Sequence, residues 1–249
     1  LRNNFHLDDF RPGQEEVIKS ILSGKDTVVL MPTGGGKSLC YQLPALQFSG
    51  TTIVVSPLIA LMKNQVDSLL ARDIPATLIN SSLSLNEIQE RITHLKSSGV
   101  KILYIAPERF RNSHFNEFIS HLDVSLFSID EAHCVSQWGH DFRPDYLNLS
   151  KQLAQFKKRP VVATFTATAT PEVKMDIIFR LGLNDPQVFI YGFDRPNLRF
   201  FVRSGLSIKD RQQETVRIIK TLTGSGIVYV RTIEETDQFA KLLNEEGIS

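Results

Sequence analysis

TVVLMPTGGGKSLCYQLPAL, residues Thr27–Leu46, decides the reading of this sequence. A run of β-branched and apolar residues, Thr27–Met31, passes directly into PTGGGKS at Pro32–Ser38 and then into a helix-like segment. Gly34, Gly35 and Gly36 let backbone N–H groups turn inward toward a polyphosphate without side-chain obstruction. Lys37 supplies a point charge for the β- and γ-phosphates, and Ser38 a hydroxyl for Mg²⁺. The following helix N-terminus adds a dipole that favours an anion. Thr33, at the mouth of the turn, belongs to the same nucleotide-binding set. The strict phosphate-loop pattern has Gly where this chain has Met31. A purely structural turn is the bland alternative, and glycines stacked before Lys-Ser at a strand–helix junction speak against it.

Outward from that stretch, short β-branched runs recur, each followed by a helix-like segment. Strands are expected at Thr27–Met31, Thr52–Ser56, Ala76–Ile79, Ile102–Ile105, Leu126–Asp130, Val161–Thr166, Val188–Tyr191 and Ile227–Val230. Most are continuous apolar runs, as parallel strands covered on both faces require. Periodic segments at Leu58–Arg72, Leu85–Ser97 and Pro171–Leu181 read as helices, the last with Thr170 as N-cap and Pro171 at its first position. The alternation predicts an α/β doubly wound sheet. It breaks near Phe193–Arg203, after which only one strand and two helices (about 210–222 and 234–246) remain. Residues 1–194 are therefore expected to form one complete α/β domain, and 195–249 a linker with the opening of a second.

Composition sets the outer limits. Of 249 residues 42% are hydrophobic, which fits a folded globular protein and excludes a disordered one. Basic and acidic residues number 28 and 27, so any affinity for nucleic acid must come from local patches. Cys40 and Cys134 are the chain's 2 cysteines, too few for a disulfide framework or an unaided zinc site, and a reducing cytoplasm is expected. No apolar run reaches membrane-spanning length, so no membrane association is expected. The first residue, Leu1, is read as a trimmed start.

The second chemical motif is DEAH, Asp130–His133, at the end of the strand Leu126–Asp130. Open α/β sheets bind ligands beyond the carboxyl ends of their strands. Asp130 is placed to hold Mg²⁺ directly or through water, and Glu131 to orient and deprotonate an attacking water. With PTGGGKS these acids specify a nucleoside triphosphate hydrolase. His133, Cys134 and His140 match no structural zinc spacing, and no nucleophilic-serine elbow is present.

CVSQWGHDFRPDY, Cys134–Tyr146, follows at once and carries the single tryptophan, Trp138. Trp138, His140, Phe142 and Arg143 beside the catalytic acids suit base stacking and backbone contact with a single strand. A core aromatic is the competing reading for Trp138, weakened by its polar neighbours. Thr166 and Thr168, in FTATAT, leave a strand where they can bond the acids or nearby backbone. Ser56-Pro57-Leu58 places a strand end before a helix, where backbone phosphates bind well. The run Lys157-Lys158-Arg159 reads as a solvated loop.

Taken together these residues resemble the RecQ family of DNA helicases within superfamily 2. The segments that carry the likeness are FRPGQ (Phe10–Gln14), MPTGGGKSLCYQLPAL (Met31–Leu46), SPLIALMKNQV (Ser56–Val66), YIAPER (Tyr104–Arg109), DEAHCVSQWGHDFRPDY (Asp130–Tyr146), TATAT (Thr166–Thr170) and FDRPN (Phe193–Asn197). The resemblance implies an ATP-driven 3′-to-5′ motor on single-stranded and partially duplex DNA, built from two RecA-like domains with nucleotide at their interface. The first would span 1–194. It implies adenine recognition by Gln14 with Arg11 stacking on the base, and a catalytic set of Lys37, Asp130, Glu131 and His133. It also implies that Ser56, Trp138, His140, Phe142, Arg143, Thr166 and Thr168 serve the nucleic acid. Leu7 and His6 depart from the family pattern, which has an aromatic residue and Gly there. The arginine finger, a four-cysteine zinc module and a winged helix would lie in parts of a parent protein beyond Ser249, so no zinc site is expected here and this chain alone should turn over poorly. The rival readings are a broader RNA or DNA remodelling ATPase, a phosphate-loop kinase that leaves QWGHDFR and TATAT unused, and a non-catalytic nucleotide-binding fragment.

Overall fold

A computed structural model describes residues 1–97, 99–139, 141–192 and 198–248. The chain divides into two compact units, Leu1–Asp194 and Arg195–Ser249. The first contains α1 (Arg2–Phe5), α2 (Gln14–Leu22), β1 (Thr27–Leu30), α3 (Lys37–Gln47), β2 (Thr51–Val55), α4 (Ile59–Leu70), β3 (Ala76–Ile79), α5 (Leu85–Ser97), β4 (Ile102–Ile105), α6 (Ser113–Ser120), β5 (Val124–Ile129), α7 (Asn148–Gln155), β6 (Val161–Thr166), α8 (Pro171–Leu181) and β7 (Gln187–Ile190).

Its strands form one sheet in the order β3-β4-β2-β5-β6-β1-β7, each neighbouring pair parallel. The continuous apolar runs follow from helices on both faces. Val29, Val54, Tyr104, Leu126 and Phe165 point to the side covered by α2, α3 and α4. Val28, Ile53, Leu103, Phe127 and Ile129 point to the other, against Phe115 and Ile119 of α6, Leu149 of α7 and Ile177 of α8. Only β7, at the sheet edge, leaves most of its residues exposed.

Local signals behave as their chemistry demands. The Thr170 side chain accepts from Val173 N at 3.3 Å, Pro171 opens α8, and Gly182 closes it at φ 61°. His6, where the family pattern has Gly, ends α1 at φ 53°, a left-handed conformation that glycine adopts without strain. α3 runs through Pro44, whose missing N–H would otherwise bond Cys40.

The run Lys157-Lys158-Arg159 is exposed, as expected of a solvated loop, and Arg159 in addition donates to Asp26 at 3.0 and 2.6 Å. Asp26, 4% exposed, also accepts from Val162 N at 2.9 Å and Asn184 N at 2.7 Å. A charge run says nothing of a partner 133 residues away.

In the second unit the capping box of Ser207 and Asp210 starts α9 (Ile208–Thr221), and Thr232 caps α10 (Ile233–Glu245). Lys220 pairs with Glu246 at 2.5 Å. The strand expected at Ile227–Val230 does not form: Ile227 and Tyr229 are 79% and 88% exposed. A strand exists only by pairing, and among the described residues of this unit no second strand offers a ladder. No helix among the described residues is long and apolar enough to cross a membrane.

Candidate nucleotide-hydrolysis site

Because every ladder is parallel, all carboxyl ends meet at one edge of the sheet. The four adjacent central strands β2, β5, β6 and β1 deliver Ser56, Asp130, Thr166 and the glycine-rich loop side by side. The ladders continue past the strand ends and hold these residues in register. Asp130 N donates to Val55 O at 2.8 Å, and Met31 N to Thr166 O at 3.0 Å.

The glycine loop is shaped by close approach as well as dihedral freedom. A Cβ on Gly35 would lie 2.6 Å from Met31 Cγ and 2.9 Å from Pro32 O. Met31 is thus the buried floor of the loop, filling the place where the usual pattern has Gly. Gly36 sits at φ +83°, and a Cβ there would lie 2.3 Å from Gln14 Nε2. Lys37 Nζ donates to Met31 O at 3.2 Å, and Lys37 and Ser38 are half-buried at the loop's end. Thr33 and Gly34 are exposed at its mouth.

FRPGQ is brought onto this loop. Arg11 Nη1 donates to Gly34 O, and Gln14 Nε2 donates to Gly36 O at 3.0 Å. Gln14 Oε1 accepts from Arg11 N at 2.8 Å. Both ends of an amide expected to pair with a base are therefore engaged by backbone in this conformation. The oxygen keeps a second lone pair for a base, and the second hydrogen of the nitrogen has only a long contact, 3.5 Å, with Gly35 O. Gly13 is held at φ +86° with the Tyr191 ring against it, so close that a Cβ would lie 2.3 Å from the ring.

Asp130 is 7% exposed. Burial, and then the charge of Glu131, push its carboxyl up to about 6, against the opposing pull of the Glu131 N–H and Lys37. Tyr146, fully buried, donates its hydroxyl to Asp130 O at 3.1 Å. Glu131 occupies a left-handed conformation, φ 46°, with its N–H on Asp130 Oδ1 at 3.0 Å. Such strain persists where surrounding structure over-determines it, commonly at functional sites. Glu131 Oε2 lies 3.3 Å from His133 Nδ1, which in turn lies 2.9 Å from Thr166 Oγ1. Thr166 donates to Thr168 O at 3.0 Å. DEAH and TATAT are thereby one hydrogen-bonded unit. A cavity of about 300 Å³ opens here between Thr33, Pro57, Glu131, His133, Asp141 and Thr168.

The donor set suits a hard divalent cation. Asp130 and Ser38 offer oxygen only, and Asp130 is a buried carboxylate whose ionised form the fold itself penalises. His133, Cys134 and Asp141 also have ligand atoms within 4.8 Å of one another. Hydrogen bonding accounts for that cluster: Cys134 Sγ donates to Asp141 Oδ2 at 3.8 Å, and Asp141 is held by Arg143. Burial pushes the Cys134 thiol up to about 12, away from the thiolate a metal would need.

The aromatic loop places Trp138 outward, 78% exposed, so it is not a core anchor. Gly139 beside it has no room for a side chain, since a Cβ would lie 2.6 Å from His133 O. Phe142 is half-buried, and His140 lies outside the described residues. Arg143 is committed to the protein: it donates to Asp141 Oδ2 at 3.1 and 2.9 Å and to Pro57 O at 3.2 Å. Ser56 and Thr166, expected to serve nucleic acid, are buried to 2% and 1% exposure. The Ser56 hydroxyl faces Asp130 and that of Thr166 meets His133, while Leu58 rather than Ser56 reaches the surface. Sequence reading missed Tyr146 and the His133–Thr166 link. Both lie inside motifs it quoted, but their partners are set by strand adjacency.

Residues 11–176 match the DEAD/DEAH box helicase family. The chain is 45% identical over 245 residues to ATP-dependent DNA helicase RecQ of Pasteurella multocida (strain Pm70), covering 98% of this chain and 38% of that protein. It is 45% identical over 249 residues to ATP-dependent DNA helicase RecQ of Bacillus subtilis (strain 168), covering 100% and 42%. It thus spans about two fifths of the length of these curated relatives. A structure of helicase Lhr from Mycobacterium smegmatis bound to ssDNA and AMP-PNP shares the fold at a TM-score of 0.69 and 18% identity, over 98% of this chain and 35% of that one. A phosphate loop and a DEAH strand end meeting on one edge of a parallel sheet, with a family match that runs from Arg11 through both, mean that the chain belongs to the DEAD/DEAH box helicase family.

Proposed function

We propose that this chain is the N-terminal part of the core of an ATP-dependent 3′-to-5′ DNA helicase of RecQ type. It would couple hydrolysis of Mg-ATP to movement along single-stranded DNA and to duplex unwinding. The observation that carries the reading is the convergence of Lys37, Ser38, Asp130 and Glu131 with the exposed Trp138 loop on one sheet edge. Residues 1–194 serve as the first RecA-like domain, and 195–249 as linker and opening of the second. The relatives' names as ATP-dependent DNA helicases support DNA as the track. The protein works in the compartment that holds the DNA, the cytoplasm of a bacterium or the nucleus of a eukaryote.

In this reading the loop N–H groups and Lys37 grip the phosphates, with Arg11 and Gln14 reporting on the base from behind the loop. Ser38 and Asp130 would hold Mg²⁺, which when bound would neutralise charge on the phosphate oxygens. Glu131, oriented by its strained backbone and by His133, accepts the proton of the attacking water. Thr166 fixes His133, and Arg143 fixes the loop that presents Trp138 and Phe142, with His140 in the same segment.

The test is ATP hydrolysis by a full-length protein carrying this chain, with single-stranded DNA, with an equal concentration of single-stranded RNA, and with neither. Stimulation by DNA alone is expected. Equal stimulation by RNA would move the assignment to a broader remodelling ATPase, and no stimulation would leave a nucleotide site without a motor. Glu131→Gln should keep ATP binding and lower turnover by roughly 10²–10⁴. Lost binding would contradict its role as base.

A further inference from the structure

A polar chain crosses the otherwise apolar layer beneath α3 and α4, and nothing in the hydrolysis site requires it. Gln42 of α3, 7% exposed, donates through one nitrogen to Gln65 Oε1 of α4 at 2.7 Å and to Tyr104 Oη of β4 at 3.1 Å. Tyr104 is 1% exposed. The Tyr41 hydroxyl, next in α3, faces both Tyr104 and Ser38. Around them stand Cys40, Ala45, Met62, Val66 and Phe165, a core that apolar side chains would complete at least as well. Burying an amide and phenols there is costly unless each is bonded, and replacing such a set by apolar residues is often neutral for stability. What directional bonds add is a fixed register between two helices that apolar contacts would let slide.

The two helices begin at different points of the same sheet edge. α3 starts at Lys37 and Ser38 of the phosphate loop. α4 follows Pro57, whose carbonyl accepts from Arg143 at 3.2 Å, and Arg143 N donates to Cys134 O at 3.0 Å within the loop that exposes Trp138. We propose that Gln42, Gln65 and Tyr104 are positioning residues that lock α4 to α3, so that a displacement of the Trp138 loop by nucleic acid is passed through Arg143, Pro57 and α4 to Ser38. The inference rests on the function proposed above and adds the route by which the two halves of the site are coupled.

The bond polarity supplies that test. Gln65 acts as acceptor, so Gln65→Glu keeps the bond and Gln65→Met, of similar volume, removes it. ATP hydrolysis by a full-length protein carrying the chain is measured with and without single-stranded DNA. Gln65→Met and Gln42→Met should each reduce the stimulation ratio roughly three- to tenfold, the range one such bond accounts for, with the DNA-free rate of Gln65→Met within about twofold of wild type. Gln65→Glu should retain the wild-type ratio, and the double Met variant should lose no more than either single one. Equal stimulation in wild type and Gln65→Met overturns the relay while leaving the helicase reading intact. Additive losses in the double variant, or equal losses in Gln65→Met and Gln65→Glu, also overturn it. A wild-type rate indifferent to DNA removes the helicase reading and this inference together.

Discussion

Asp26 and Asp130 are two buried aspartates at opposite edges of one sheet, and the fold treats them differently. Asp26, just before β1, receives two donors from Arg159 and two backbone N–H groups, from Val162 and Asn184. Asp130, just after β5, receives the Glu131 N–H and sits beside a second carboxylate, and its own is pushed up to about 6. The amino edge satisfies its charge and stitches β1, β6 and the approach to β7 together. The carboxyl edge holds a charge the protein does not neutralise, which is the condition for binding something that will. A satisfied charge lies at one edge and the proposed site at the other, as parallel sheets with ligand-binding loops allow.

Substitutions can break this contrast. Asp26→Ala would leave the Val162 and Asn184 N–H groups unpaired, and should cost about 2–4 kcal/mol in chemical denaturation. A loss under about 1 kcal/mol would mean that the amino edge is not the fold's anchor. Asp130→Asn should act in the opposite sense, stabilising the nucleotide-free protein by roughly 1–3 kcal/mol at neutral pH while abolishing the Mg-ATP hydrolysis proposed for a full-length protein carrying the chain. The sign follows from a folded carboxyl that holds its proton more tightly than the unfolded one. The penalty on wild type is full above pH about 6, fades as pH falls toward the ordinary aspartate value, and is absent below it. Wild type and variant should therefore converge in melting temperature at acid pH.

Tyr146→Phe sharpens the comparison at smaller scale. It removes the bond to Asp130 O and leaves that carbonyl buried, at a cost of about 1 kcal/mol. The stronger readout is a fall in the ATP hydrolysis proposed for a full-length protein carrying the chain, because the DEAH backbone loses its tether. Smallest is His6→Gly, which relieves a left-handed backbone and should raise stability by about 0.5–1 kcal/mol. Glu131 has the same backbone hand, and there the strain is retained at the carboxyl edge by His133 and Asp130.

The C-terminal unit shows where sequence reading reaches its limit. Val161–Thr166 and Ile227–Val230 have the same β-branched character, yet only the first is a strand. The first lies between β5 and β1, which supply a ladder on each side. Among the described residues near the second there is none. Helices fared better because their bonds are local: Thr170 and Pro171 mark the start of α8 without reference to any distant residue.

The sequence by itself determined the α/β alternation, the glycine loop with its lysine and serine, and the acids that end β5. These are legible because each depends on residues within a few positions of one another. Only the tertiary structure decided that Ser56 and Thr166 turn inward, that Arg143 grips Pro57, that Arg159 closes on Asp26, and that Gln42 reaches Gln65. Those outcomes depend on which strands become neighbours and which helices share a face. That adjacency is set by burial summed over the whole sheet, and no short stretch of chain encodes it.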